Sequence, residues 1–216
     1  MCVCVCNTET KGHWARDDPA FFIIQVLLLL AASTAWSVAF APSVAAALWA
    51  PVRAVALAFL GTGALAATLG WAVAGALSDR ASAGTSSSST SSSSSSSSST
   101  EGTAATGRRV EWAYCFDVHC NGFFPLFLAL HVGAYLVAPL LLARSIGPVA
   151  TLMSNALCAG AAVHYCYVTF LGYQTLGTLR DARVFLLPVP LVVVAALVAS
   201  LLGVNVLALT LRLVYH

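Results

Sequence analysis

The sequence predicts an all-α fold: a polytopic membrane protein with five transmembrane helices. Three observations carry that expectation. Only 8% of the residues are charged and 59% are hydrophobic, against about 25% charged in a soluble domain, so there is too little charge to cover a water-facing surface. The mean hydropathy is +0.87. The apolar residues also fall in runs of roughly twenty, the length that crosses a hydrocarbon core of about 30 Å, broken by proline, glycine or charge. A net charge of +2 is small and gives bulk electrostatics no reason to favour a nucleic-acid partner.

Residues 1–19 read as a short cytosolic N-terminus. Cys2, Cys4 and Cys6 suit palmitoylation if they face the cytosol. The first apolar run has neither a basic lead-in nor a small-residue cleavage site, so it reads as a retained signal anchor. The first span runs from about Ala20 to Ala41. Asp18 suits its N-cap and Pro19 its first helical position, and Asp17 and Asp18 favour the positive end of the helix dipole.

The second span runs from about Pro51 to Leu77, completing helices one and two within residues 20–77. Arg53 is placed to snorkel to the head groups, and Gly61, Gly63, Gly70 and Gly75 allow close helix packing. Residues 78–109 read as a Ser-rich disordered cytosolic loop, because positions 81–107 hold no apolar residue larger than alanine and cannot bury a core. Residues 110–216 supply an interfacial segment and helices three to five. The third membrane run is Gly122 to Ala143 and the fourth Pro148 to about Phe170. The fifth is Val184 to about Leu211, opened by Pro188 and Pro190.

An odd number of spans puts the termini on opposite sides. With the N-terminus cytosolic, the cytosolic side holds Lys11, Arg16, Arg80, Arg108, Arg109, Arg180 and Arg183, against Arg53, Arg144 and Arg212 on the lumenal side. Positive charge inside favours that orientation. All eight acids then fall on the cytosolic side, and any soluble partner meets the protein there.

The remaining polar residues are few. Val110–Pro125 threads Glu111, Asp117, His119 and Asn121 between Trp112, Tyr114, Phe116, Phe123 and Phe124, a composition expected to lie at head-group level. Asp117 and His119 raise a metal or proton-relay reading, but the ligand set is incomplete for a tetrahedral site. Seven cysteines form neither zinc knuckles nor an even disulfide framework. Gln25, His131, Asn155, His164 and Asn205 lie at hydrocarbon depth and read as interhelical hydrogen-bonding contacts. The alternative is a small transporter or intramembrane enzyme using His131, His164, Asn155 and Asp117. No span carries a deep Asp, Glu, Lys or Arg, which disfavours an ion-coupled transporter. No catalytic motif, metal site or cofactor fingerprint is present, and a non-enzyme without a cofactor is expected.

Three stretches together resemble one family. "TKGHWARDDPAF" (Thr10–Phe21), "VEWAYCFDVHCNGFFPLFLALH" (Val110–His131) and "YVTFLGYQTLGTLRDARVFLLPVPLV" (Tyr167–Val192) look like the uncoordinated-fifty (Unc-fifty) family of Golgi membrane proteins. The order and five-span layout match as well. The resemblance implies a multi-pass Golgi membrane protein with a cytosolic N-terminus and a lumenal C-terminus; the endoplasmic reticulum and inner nuclear membrane are the other locations it suggests. It implies a non-enzymatic scaffold in vesicle-mediated protein transport and in assembly or surface delivery of multi-subunit receptors. Implied partners are membrane lipids, Arf-type GTPase exchange factors or coat proteins, and receptor subunits as cargo. RNA binding at the nuclear envelope is implied by the family alone. Trp14, Arg16, Asp17, Asp18, Trp112, Asp117, His119, Tyr173 and Arg180 are the expected cytosolic interaction surface. The serine tract is longer than the family's usual loop.

Overall fold

The computed structural model describes residues 20–85, 110–143, 145–176 and 181–215. Nine α-helices make up the framework among these residues, with no strand, and five helical segments are long and apolar enough to cross a membrane. The expected all-α fold is what forms.

Helix α1, Ala20–Phe40, is the first span; its 21 residues reach about 31 Å, one hydrocarbon thickness. The second span, Val44–Leu77, starts earlier than the proline at 51 suggests. Ser43 caps it, its hydroxyl accepting the Ala46 N–H at 3.2 Å. It contains α2, Val44–Arg53, a π-helical stretch Ala54–Gly61, and α3, Thr62–Thr85. Helix α3 therefore runs on into the stretch expected to be linker. The third span, Trp112–Leu136, combines α4 (Trp112–Phe127), a second π stretch (Leu128–Gly133) and the short α5 (Ala134–Leu136); α6 (Ala138–Leu141) follows. Each π stretch begins three residues after a proline, Pro51 or Pro125. A proline lacks the N–H and crowds the preceding turn, and widening to the π register absorbs that mismatch.

The segment Val110–Pro125 is continuous with the third apolar span, Trp112–Leu136. It is the first half of the third span, because its buried positions Cys115, His119, Phe123 and Phe127 repeat every fourth residue and give α4 an inward stripe. Helix α7, Gly147–Gln174, is the fourth span. The fifth is the 3-10 turn Ala182–Leu186 with α8, Pro188–Leu201. It ends ten residues before Leu211, where the sequence places its end, because the helix stops at Leu202 and Gly203 adopts φ +70°, a left-handed conformation that glycine takes without steric cost. The last helix, α9 (Val206–Tyr215), follows that break and packs on α1, α2 and α7.

Packing is set by polar anchors as well as apolar faces. Gln25 Nε2 donates to the Cys120 carbonyl at 2.7 Å, and Trp36 Nε1 to the His131 carbonyl at 3.0 Å; both tie α1 to the third span. The guanidinium of Arg53 donates to the Val214 carbonyl, so this cation binds the C-terminal turn of α9 rather than reaching out to head groups. That placement also suits the negative end of the α9 dipole. The outward faces are largely apolar, with Leu48, Leu57, Leu191 and Leu201 among the exposed side chains; in a bilayer these meet lipid.

Candidate functional site

Helix α4 lies between α3 and α7, and the 3-10 turn before α8 closes against α7. These elements meet at the end of the bundle where α1 begins, called the near end below. Helix α1 packs chiefly on α2 and the first π stretch, so much of α3 extends past the level at which α1 starts. The buried cluster there includes Ala67, Ala74, Val110, Tyr114, Cys115, Val118, Tyr173, Leu176 and Ala182. It draws on both polar–aromatic stretches that the structure describes, Val110–His131 and Tyr167–Val192.

Small residues let the helices approach. A Cβ on Gly70 would stand 2.0 Å from the Tyr173 hydroxyl, and one on Gly63 would stand 2.7 Å from the His119 ring. Val118 occupies the space in front of Gly172 in the same way. The Tyr173 ring, 1% exposed, lies flat on Phe185 with centroids 3.9 Å apart. Tyr114 Oη donates to the Gly172 carbonyl at 2.6 Å and lies 3.3 Å from Thr175 Oγ1, which itself donates to Gly172 at 2.7 Å. Those bonds serve the last carbonyls of α7, which have no partner within the helix.

One turn deeper, His119 Nδ1 and Tyr165 Oη are hydrogen-bonded at 2.8 Å. The imidazole is 3% exposed, ringed by Phe59, Phe116 and Phe123 at centroid distances of 5.7, 6.0 and 5.6 Å. Its Nε2 faces the Phe59 carbonyl of the π stretch without a hydrogen bond of normal geometry. Between α3, α4, α7 and the start of α8 lies a cavity of about 310 Å³. Among the described residues no three of His, Cys, Asp and Glu gather as a metal-binding group.

The expected surface residues separate into three groups. Trp14, Arg16, Asp17, Asp18 and Arg180 lie outside the described residues. Trp112 faces outward at the near end, 43% exposed, where it stacks on Phe116 and donates to Thr68 Oγ1 at 3.2 Å; Asp117 is half-buried and accepts from Asn121 Nδ2 at 3.3 Å. His119 and Tyr173 are a correction. They were expected on an exposed surface, yet both point inward, because each occupies the packing stripe of its helix and fills a gap left by a glycine. Tyr165, Gly63 and Gly70 were not singled out as site residues. The glycines sit seven apart on α3, and that two-turn spacing was the available signal.

The intramembrane polar residues also separate. Gln25 holds Cys120, as above. Asn155, 1% exposed, donates to Ser200 Oγ at 3.1 Å and the Val204 carbonyl at 2.8 Å, and accepts the Val206 N–H at 2.9 Å. Asn205 accepts from Ser154 Oγ at 2.8 Å and the Ala208 N–H at 3.0 Å, and donates to the Leu141 carbonyl at 2.9 Å. Together the two asparagines bind the break between α8 and α9. His131 stacks on Phe127 at 5.6 Å, and His164 is exposed on the outside of α7. His131 and His164 line none of the three cavities considered among the described residues.

Fold and site define a class: a helical membrane protein of five spans that gathers its polar–aromatic sequence at one end of the bundle. The UNC-50 family model matches residues 3–215, and the chain belongs to that family. It is 35% identical to the protein unc-50 homolog of Dictyostelium discoideum over 92% of this chain and 69% of that protein. Protein unc-50 of Caenorhabditis elegans is 31% identical over 84% of this chain and 52% of its own length. The human protein unc-50 homolog is 30% identical, with 89% and 66% covered. The chain thus spans about half to two thirds of the length of these relatives. None of these relatives' names carries an enzymatic activity. No solved structure matches.

Proposed function

We propose that the chain is a non-enzymatic scaffold in vesicle-mediated transport at the Golgi, serving assembly or surface delivery of multi-subunit membrane receptors. In this reading the near end faces the cytosol and recruits trafficking machinery, Arf-type exchange factors or coat proteins, while the spans hold it at the membrane. The observation that carries the reading is the convergence of two polar–aromatic stretches on one end of the bundle. Trp112 is exposed and Asp117 half-buried there.

Proximity labelling in cells tests it. A labelling enzyme inserted within residues 86–109 of the full chain is expected to enrich exchange factors and coat proteins at least fivefold over the same enzyme fused after Tyr215. Equal lists from both positions would refute the reading. Within that assay, the pair Trp112→Ala and Asp117→Ala is expected to reduce enrichment severalfold with localisation retained.

A further inference from the structure

The near-end cavity carries more than packing. Its walls are largely apolar: Ala66, Leu69, Val73, Val118 and Pro188 contribute, and no Asp, Glu, Lys or Arg lines it. His119 and Thr169 also line it; Thr169 Oγ1 is buried and makes no hydrogen bond of normal geometry, whereas His119 Nε2 is turned to Gly63 and the Phe59 carbonyl, outside the cavity. Tyr165 stands beside both, bonded to His119. An unpaired buried polar group is destabilising, so the cavity as it stands is incomplete at one polar end.

Two candidate occupants fit poorly. Water takes about 30 Å³ per molecule and needs two to four polar partners; a cavity of about 310 Å³ with apolar walls would leave most such waters unbonded. A charged head group would be buried without a counter-charge, at a cost of many kcal/mol. The space falls at the low end of the volume usual for small-molecule sites, about 300–1,000 Å³, and has their pattern of apolar walls with a few converging polar groups. It lies between helices of a membrane bundle, and Leu69 at its edge is exposed.

We propose that this cavity binds a neutral membrane lipid whose polar group is a single hydroxyl, a sterol or a diacylglycerol, with the hydroxyl at Thr169 and Tyr165 and the apolar body along α3 and α8. A hydroxyl both donates and accepts, so it completes Thr169 Oγ1 whichever way that hydroxyl is turned. The flat Tyr173–Phe185 stack and the small residues Ala66 and Gly70 form the walls.

The test uses the full chain purified into nanodiscs containing photoactivatable sterol in one arm and photoactivatable diacylglycerol in the other. Saturable labelling, competed by the unlabelled lipid and mapping to the cavity-facing parts of α3, α4 or α7, is expected in at least one arm, and the arm identifies the lipid. Ala66→Phe, which fills the cavity, is expected to reduce that labelling at least fivefold. Thr169→Val keeps the shape and removes the hydroxyl; it is expected to reduce labelling at least threefold with the thermal unfolding midpoint unchanged within error. If Ala66→Phe unfolds the protein, Thr169→Val decides alone. Non-saturable labelling in both arms, or labelling unaffected by Thr169→Val, overturns the proposal. Because the readout is lipid labelling, it stands or falls separately from recruitment of trafficking machinery.

Discussion

Asn155 and His164 share α7, and by sequence both are polar residues at hydrocarbon depth. Their surroundings decide what each is worth. Asn155 makes three hydrogen bonds to the α8–α9 break, whereas His164 is exposed on the outer face. Interhelical hydrogen bonds in membranes average about 0.6 kcal/mol each, because the unfolded chain in lipid also finds partners. Loss of three, with the Val206 N–H left unpaired, gives about 2 kcal/mol for Asn155→Ala. His164→Ala is expected to stay within about 0.5 kcal/mol, as an exposed substitution does. Thermal unfolding of the two variants in one detergent checks both; equal midpoints would remove the asparagine bridge as a stabilising feature. Residue type alone marked both as intramembrane polar contacts, but only the position of the helix break, which Gly203 sets, tells them apart.

At the scale of elements, α3, α4 and α7 pack through glycine. Tyr173 cannot easily move aside, since it is buried and stacked on Phe185 at 3.9 Å. Gly70→Ala puts a carbon 2.0 Å from its hydroxyl, and overpacking of this kind costs about 1–3 kcal/mol. Tyr173→Phe in the same chain removes the closest atom but leaves the ring carbon Cζ at 2.9 Å. The double variant is therefore expected to recover part of the lost stability, not all of it, and a double-mutant cycle by unfolding measures the coupling. How α4 was read from sequence follows from the same packing. The alternation of polar and aromatic residues from Val110 to Pro125 suggests an interfacial segment when weighed by composition. Its periodicity says otherwise: Cys115, His119, Phe123 and Phe127 form one face, and Asp117 and Asn121, four apart and hydrogen-bonded, form another. The helix was legible in the spacing. The depth of His119 was not, because it depends on Gly63 of another span making room for the ring.

The whole molecule poses a question of parity. Span four keeps close to its sequence-derived bounds and span three starts ten residues early, at Trp112 instead of Gly122, but the run from Val184 to Leu211 divides into α8 and α9. Were α9 a crossing helix, the count would be even and the termini would share a side. Its ten residues rise only about 15 Å, half the hydrocarbon core, and Arg53, Trp36 and the asparagine pair hold it against the bundle: the first through the Val214 carbonyl, the second through Tyr215 at 6.4 Å, the last at its start. Such a helix stays on the side where α8 emerges, leaving five crossings. The sequence count of basic residues, seven against three, favours the proposed orientation, with the loop in the cytosol and Tyr215 in the lumen. Single glycosylation acceptors placed in the full chain, one within residues 86–109 and one on a short extension after Tyr215, are expected to show modification of the second alone in microsomes. Modification of both or of neither would mean an even number of crossings, and would move α9 from a packed terminal helix to a sixth passage through the bilayer.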